Sequence, residues 1–256
     1  MARAAGHGQT VGMIYQEWRA PPALSSHVAC LWARRQGPPR VLPDGCVDLV
    51  WTGDELIVAG PATRAVVPRL PSAEPKLGIR FRIGAASPVL GLPAAELLDA
   101  TATVAEIWAG GQRLTDRVGE AVGAASRLQV MMEAVAAQLE QAAGPDPVVR
   151  AAVLGLCRSR TPIAALSNRL GMSDRQLRRR FENAVGYSPR TLGRVLRLQR
   201  FLGLVADGGQ LARAAVEAGY ADQPHLTRDC RQLTGLPPAA LVATGAGPAG
   251  ERLKPA

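Results

Sequence analysis

The chain has 256 residues, of which 47% are hydrophobic and 20% are charged, and its formal net charge is +9. This length is enough for one or two globular domains with a buried core, and the composition excludes collagen-like and disordered classes. Four scattered cysteines exclude a disulfide framework. No window approaches 18 uncharged apolar residues, and no N-terminal apolar stretch resembles a signal peptide, so we expect a cytoplasmic protein without a membrane span.

The positive charge is concentrated in one part of the chain. Residues 1–144 carry 13 basic and 13 acidic side chains, whereas residues 145–245 carry 15 arginines and only 7 acidic side chains. A cationic block beside a neutral one predicts that the C-terminal part binds a polyanion. The N-terminal part is then expected to have a different task.

The N-terminal part begins with an expected flexible tail, residues 1–11, followed by a β-rich domain over residues 12–110. Residues 76–83 alternate strictly between polar and apolar side chains, which predicts a strand with one buried face. Short strands separated by turn residues are typical of a small β-sandwich or β-barrel. Further strands are predicted at 28–33, 46–51 and 55–59, and short helices at 92–98 and 104–108.

Residues 111–144 change to a helical composition. Apolar residues from Leu114 to Leu139 follow spacings of four and three, which is a heptad pattern. Gly119 and Gly123 weaken a single helix, so one helix and two helices with a break near 123–126 both stay open. The apolar seam fits an ordinary core or a dimer contact, and we predict a connecting or dimerisation segment. The prolines that follow Gly144 place the next domain boundary there.

Beyond this boundary the sequence predicts a helix-turn-helix unit. Thr161-Pro162 begins a helix over 163–170, Gly171 ends it, and a capping box from Ser173 to Gln176 opens a second helix to about Val185. On that second helix Leu177 and Phe181 mark the buried face. The polar positions are Arg175, Gln176, Arg178 and Arg179, with Arg180 nearer the core edge.

These side chains fit contacts with double-stranded DNA. Arginine can bind guanine bidentately and glutamine can bind adenine in the major groove, while Arg180 is better placed for a phosphate. The alternative is an ordinary solvated basic helix. The pattern then repeats, because residues 211–218 form a helix and Asp222 caps another to about Leu233, with Arg228 and Arg231 outward.

A long helix, from Arg190 to about Ala206, separates the two units. Its length of about 27 Å at 1.5 Å per residue, added to the packing at each end, places the two reading helices near one DNA turn apart, about 34 Å. Two such units can enter successive major grooves on one face of a duplex. If the duplex must curve to meet both, flexible base steps add specificity.

The C-terminal part of the sequence resembles a known family. Residues 145–245 resemble the double helix-turn-helix DNA-binding module of AraC/XylS-type transcription regulators, through stretches at 163–181, 185–189, 215–228 and 235–238. Cys230 and Pro224 depart from the family pattern, in positions usually held by a phenylalanine and a polar residue. The resemblance implies base contacts from Arg175, Arg178 and Arg179 in the first unit and from Gln223, His225 and Arg228 in the second. Thr227 would contact a phosphate, and Ser173, Gln176, Arg180 and Arg231 complete the candidate DNA-binding set.

The N-terminal part resembles, less specifically, the small β-rich sensor-like domains found ahead of such modules. The supporting stretches are residues 41–50, 59–61 and 77–82. The resemblance implies a cupin-like barrel, and the ligand is generally unknown for this subgroup. Cys30 and Cys46 fit either small core residues or a sensing thiol.

No catalytic, cofactor or metal site is predicted. The only histidines of the N-terminal part are His7 and His27, which are too few for a histidine metal site. The sequence also has neither a phosphate-binding loop nor a nucleophile motif. The alternative from the enzyme class is a cysteine-dependent alkyl-acceptor DNA-repair regulator, which uses a zinc site rich in cysteine. A DNA-binding architectural protein without a sensing function is a third reading.

The combined expectation is a two-domain α+β protein. A small N-terminal β-barrel or sandwich with short helices precedes an all-α double helix-turn-helix module over 145–245, and residues 246–256 form a tail. The expected function is sequence-specific transcription regulation, controlled through the N-terminal domain by a small-molecule effector or by homodimer formation. RNA polymerase is a further partner if the protein is an activator. The operator, the effector and the sign of regulation stay open.

Overall fold

The computed structural model describes residues 15–35, 40–67, 75–158 and 163–245. The predicted tails and the predicted Thr161-Pro162 cap lie outside these residues. Within these ranges, no helix is both long and apolar enough to cross a membrane.

The N-terminal strands form one six-stranded antiparallel sheet in the order β1-β2-β5-β3-β4-β6. In the described ranges the end strands β1 and β6 pair with other strands and not with each other. This arrangement, with its short helices, confirms the predicted β-rich N-terminal region. The strands are β1 Tyr15–Arg19, β2 Val28–Arg34, β3 Asp48–Trp51, β4 Leu56–Ala59, β5 Lys76–Phe81 and β6 Thr101–Thr103.

One face of the sheet is the N-terminal core. The predicted alternation in β5 holds, since Leu77, Ile79 and Phe81 are fully buried on that face. Among the described residues, one short α-helix lies between β5 and β6 and three more follow β6, and Met131 and Val135 of the last one pack into the same core. They are α1 Ser87–Leu90, α2 Val104–Ile107, α3 Gly111–Glu120 and α4 Gly123–Leu139.

The heptad seam is part of this core. Of the two alternatives the structure has two helices, but the break lies at Ala121 and Val122, whose backbone is extended, and not near 123–126, which is the first turn of α4. Leu114 and Leu128 of the seam are buried in the same cluster as the sheet. These seam residues therefore pack within one chain, whereas Ala125 of the seam is exposed.

The opposite face of the sheet carries a buried ion cluster of Asp44, Asp48 and Arg80. The Arg80 guanidinium binds both Asp48 oxygens, at 3.0 and 2.9 Å, and lies 3.1 Å from Asp44 Oδ2. Burial opposes the Arg80 charge, but the two carboxylates outweigh it and raise the Arg80 pKa well above its usual value. Asp44 Oδ1 also accepts a hydrogen bond from the Cys46 amide at 2.9 Å. The cluster thus fixes the 44–46 turn to the sheet.

The C-terminal part is helical, as predicted. Its central helix, α8, begins with Pro189 after the N-cap Ser188 and buries Leu192, Leu198 and Phe201 completely. Helices α5, α7, α9, α10 and α11 share one core with it. The seven helices are α5 Pro147–Arg158, α6 Ile163–Arg169, α7 Asp174–Val185, α8 Pro189–Ala206, α9 Leu211–Ala218, α10 Gln223–Thr234 and α11 Pro238–Ala243.

The N-terminal part packs directly on these helices. Leu42 is buried within the helical core, and Ala65 and Ile83 pack against it. The Gln199 side chain of α8 donates to the Pro43 carbonyl at 2.6 Å. Because these contacts join side chains from both halves, the core of the C-terminal helices extends across the predicted boundary at Gly144.

Gly186, which ends α7, lies at this contact and gives a test of its packing. Its φ is +93°, and a Cβ there would lie 2.4 Å from Pro61 Cγ and 3.1 Å from the Ala94 carbonyl oxygen. Gly208 has a similar φ of +87° but nothing within 4 Å. We expect Gly208→Ala to cost about 1–2 kcal/mol from backbone strain alone. Gly186→Ala should cost about 1–3 kcal/mol more because it also overpacks.

Urea unfolding of both variants against the wild type checks this expectation. Equal losses of stability in the two variants would show that the contact of Gly186 with Pro61 and Ala94 is loose or absent in solution.

Candidate nucleic-acid interface

The first helix-turn-helix unit consists of α6 and α7. The Ser173 hydroxyl accepts from the Gln176 amide at 3.3 Å, and the Gln176 side chain accepts from the Ser173 amide at 3.0 Å, so the predicted capping box is present. Leu177 and Phe181 are fully buried, as the helical periodicity predicts. The helix N-terminus is therefore rigidly defined, which fixes the direction of the side chains beyond it.

Three arginines of α7 are available to a ligand. Arg175, Arg178 and Arg179 are exposed, and none forms an ion pair with any residue in the described ranges. They form a basic surface on the side of α7 away from Leu177 and Phe181, as the helical periodicity predicts. A guanidinium without an acidic partner can donate to a guanine edge or to a phosphate without first breaking an ion pair.

Gln176 and Ser173, both predicted as DNA-binding residues, are engaged in the cap. Besides the Ser173 amide, the Gln176 side-chain oxygen accepts from the Ser173 hydroxyl at 2.9 Å. A bidentate contact with adenine needs this oxygen as well as the amide nitrogen. In this structure the cap occupies the oxygen, so Gln176 would have to leave the cap before it could read adenine in this way.

Arg180 has a partner within the protein. Its Nε donates to Asp146 Oδ2 at 2.8 Å, and Asp146 Oδ1 accepts from the Val148 amide at the start of α5 at 2.9 Å. Sequence reasoning placed Arg180 near the core edge but missed Asp146. The pair ties the reading helix α7 to the segment that enters the helical part, beside an open cleft of about 490 Å³ between that segment, α7 and the N-terminal part.

The second unit consists of α9 and α10. The Asp222 side chain accepts from the His225 amide at 2.6 Å, which confirms the predicted cap of α10. Gln223, Arg228 and Arg231 are exposed, while Thr227 is half-buried. As in α7, several polar side chains therefore face solvent, while Leu226, Cys230 and Leu233 face the core.

His225, predicted to face a base, is half-buried and held within the protein. Its Nε2 lies 3.2 Å from Arg197 Nη1, and its ring packs edge-on against Tyr220 at 5.2 Å between centroids. Its other ring nitrogen lies 3.4 Å from the Ala221 amide. These contacts leave the ring less available to a base than Gln223 or Arg228.

Cysteine positions bear on the alkyl-acceptor alternative. Cys30, Cys46 and Cys230 are buried, and Cys157 is half-buried. Burial raises the pKa of Cys46 well above its usual value, and burial with the nearby Asp229 raises the pKa of Cys230 to about 12. A reactive thiol needs access and a low pKa, so these positions favour core roles. No group of three or more His, Cys, Asp or Glu residues in the described ranges is arranged to hold a metal.

Two parts of the chain match known domain families. Residues 166–243 match a helix-turn-helix domain family of the AraC type, and residues 16–103 match a domain of unknown function, DUF6597. The first match confirms the predicted module and supports a DNA-binding transcription regulator. The crystal structure of ToxT from Vibrio cholerae O395 aligns at a TM-score of 0.41 and 9% identity, over 80% of this chain and 92% of that chain. No curated protein matches the chain.

The burial of the cysteines predicts how they react. We expect a maleimide to modify Cys157 in the native protein and to reach Cys30, Cys46 and Cys230 only after unfolding in guanidinium, because the folded core excludes the reagent. Peptide mapping by mass spectrometry identifies the modified positions. Modification of Cys30 or Cys46 in the native protein would contradict this expectation and support a sensing thiol at that position.

Proposed function

We propose that this chain, with its AraC-type helix-turn-helix domain behind a DUF6597 domain, is a sequence-specific DNA-binding transcription regulator. One observation carries the proposal: two helix-turn-helix units, packed on one central helix, each expose arginines on the helix that follows the turn. The alternative of a solvated basic helix explains one such helix. It does not explain two such helices, α7 and α10, which both begin with a side-chain cap and pack on the buried helix α8.

The exposed positions define the proposed roles. In the first unit Arg175, Arg178 and Arg179 read bases, and Arg180 can reach a phosphate only by leaving Asp146. In the second unit Gln223 and Arg228 are the proposed base readers, because His225 is held by Arg197 and Tyr220. The remaining predicted contacts are Ser173 and Gln176 at the cap of α7, and Thr227 and Arg231 on α10.

The central helix supports reading of successive major grooves. The 18 residues of α8 span about 27 Å, and helices of both units share its core. With the helix packing added, this length supports a separation of the two reading helices of about one DNA turn, about 34 Å. We propose that both units bind one face of a duplex, with DNA curvature adding to specificity.

We further propose that the N-terminal domain controls this binding. Its residues touch both units and the helix between them: Ser87 donates to the Asn183 carbonyl of α7 at 3.2 Å, and the Ala65 amide donates to the Leu233 carbonyl of α10 at 2.7 Å. A small-molecule effector or a homodimer contact that shifts these loops would change the arrangement of the units. It acts only through different affinities for the DNA-competent and DNA-incompetent arrangements.

We also propose limits for the two domains. We place the DNA-binding module at 145–245 and the sensor domain at 12–110. Buried side chains of α3 and α4 pack in the same core as the sheet, which supports counting residues 111–144 with the sensor domain. RNA polymerase is a partner if the regulator activates transcription.

Selection of bound sequences from a random duplex pool with the full-length protein tests the function. A regulator of this kind enriches a site with two conserved parts about one turn apart. One such asymmetric site implies a monomer, and duplicated sites imply a dimer. Retention of the pool without enrichment of any sequence would contradict the proposal.

Arg179→Ala tests the reading role on the selected site. We expect the variant to bind that site more weakly by about 1–3 kcal/mol and to lose preference at one base pair, because one bidentate contact is removed. Fluorescence anisotropy with the selected duplex and its single-base variants measures both effects. Arg117→Ala is the charge-matched control, since Arg117 is an exposed arginine of α3.

Two outcomes would change the assignment of Arg179. An equal loss on every sequence would make it a phosphate contact, and unchanged binding would remove it from the interface.

A further inference from the structure

A buried carboxylate joins the second reading helix to the central helix. Asp229 lies on α10 and is 5% exposed. Its Oδ1 accepts from Arg194 Nε at 3.0 Å, and its Oδ2 lies 3.4 Å from Arg197 Nη1, both on α8. The Arg194 guanidinium also donates to the Gln232 side chain, one turn further along α10. Two turns of α10 are thus held to α8 by charged hydrogen bonds.

The same network reaches the first turn of α10. Arg197 lies 3.2 Å from His225 Nε2, and its guanidinium stacks on the Tyr220 ring at 5.4 Å. His225 Nε2 is in turn 3.8 Å from Asp229 Oδ2. Since Tyr220 precedes the cap of α10, the contacts run along most of that helix on its α8 side.

These contacts are directional, whereas the rest of the packing between the two helices is not. Leu226, Cys230 and Leu233 bury α10 in the common core. Apolar burial is non-directional, so it favours contact but only weakly selects the angle at which α10 crosses α8. Charge-assisted hydrogen bonds require a particular alignment of donors and acceptors, and a buried carboxylate cannot simply exchange its guanidinium partners for water.

The first unit is held in a different way. Its reading helix is tied by Arg180 and Asp146 to α5, and both side chains of that pair are partly exposed. The two reading helices are therefore fixed to different elements, and only the second is fixed to α8 by a buried ion network among the described residues.

We propose that Asp229 is a positioning residue for DNA recognition, which sets the orientation of α10 on α8 and so the alignment of the second reading helix with the first. This inference rests on the proposed DNA-binding function and adds a determinant of specificity that does not touch DNA. Without the Asp229 carboxylate, α10 stays in the core but loses its fixed angle, and Gln223 and Arg228 no longer meet their bases together. The first unit keeps its own alignment.

The test compares the two halves of the selected DNA site. Full-length wild-type protein and Asp229→Asn are titrated against the selected duplex and against duplexes in which one half or the other is shuffled. Loss of base preference in Arg179→Ala and Arg228→Ala assigns each half to its unit. Asp207→Asn serves as the control with the same change in charge, since Asp207 is an exposed acid just beyond α8.

For the wild type we expect shuffling of either half to weaken binding by about 100-fold or more, since several base contacts are lost at once. For Asp229→Asn, shuffling the half of the DNA site that the first unit reads should still weaken binding by about 100-fold or more. Shuffling the half of the second unit should change affinity by less than about threefold, because that half is no longer read. Asp207→Asn should behave as the wild type in both cases.

Circular dichroism and thermal unfolding check that the variant is folded. The double variant Asp229→Asn with Arg194→Gln removes the ion pair from both sides, and it replaces Asp229→Asn if that single variant fails to fold. A folded variant of either kind that keeps the full dependence on the second half overturns the inference. A wild type without any sequence preference overturns the proposed function instead, so the two failures are distinct.

Discussion

The arrangement of the two helix-turn-helix units depends on the burial of α8. This helix exposes little apolar surface: Leu192, Leu198 and Phe201 are completely buried, and helices of both units share its core. Burying one leucine or phenylalanine side chain stabilises a fold by about 1.5–3 kcal/mol. A change in the distance between the units would have to open several such contacts at once. The spacing of the reading helices is therefore a property of one core and not of a linker.

The N-terminal domain is a part of that same packing. Leu42 enters the helical core, Gln199 binds the Pro43 carbonyl, and the adjacent Asp44 is held to the sheet by Arg80. A continuous set of contacts thus runs from the sheet through the 42–46 turn to the middle of α8. The DUF6597 domain is placed where a change in its loops reaches the element that both DNA-binding units share.

Much of the fold could be predicted from local sequence signals. Strict alternation indicated strand β5, and caps at Ser173 and Asp222 indicated the starts of α7 and α10. Strands β1 and β6 were missed because the first is largely exposed along its length and the second has only three residues, so neither shows a clear alternation. The spacing of the heptad seam indicated helices, but it could not show which surface packs against their apolar side chains.

The candidate site was predictable only in part, for a physical reason. Helical periodicity is enough to place Arg175 and Arg179 on the exposed side of α7. The partners of the other side chains are set by tertiary contacts: Asp146 is 34 residues from Arg180, and Asp229 is 35 residues from Arg194. Such pairs have no local spacing rule. The cap at Gln176 was found from sequence, but not its consequence that the side-chain oxygen is already occupied.

The uninterrupted length of α8 has a consequence for how such a protein can change its target. An α-helix turns by about 100° and rises by 1.5 Å per residue, so inserting one residue into α8 would swing the second unit around the helix axis while barely lengthening it. If the two units read two halves of one site as proposed, small insertions into α8 cannot match them to a new spacing of those halves. Under the proposed function, new targets are reached through replacement of exposed side chains on α7 and α10, while the distance between the two helices stays the same.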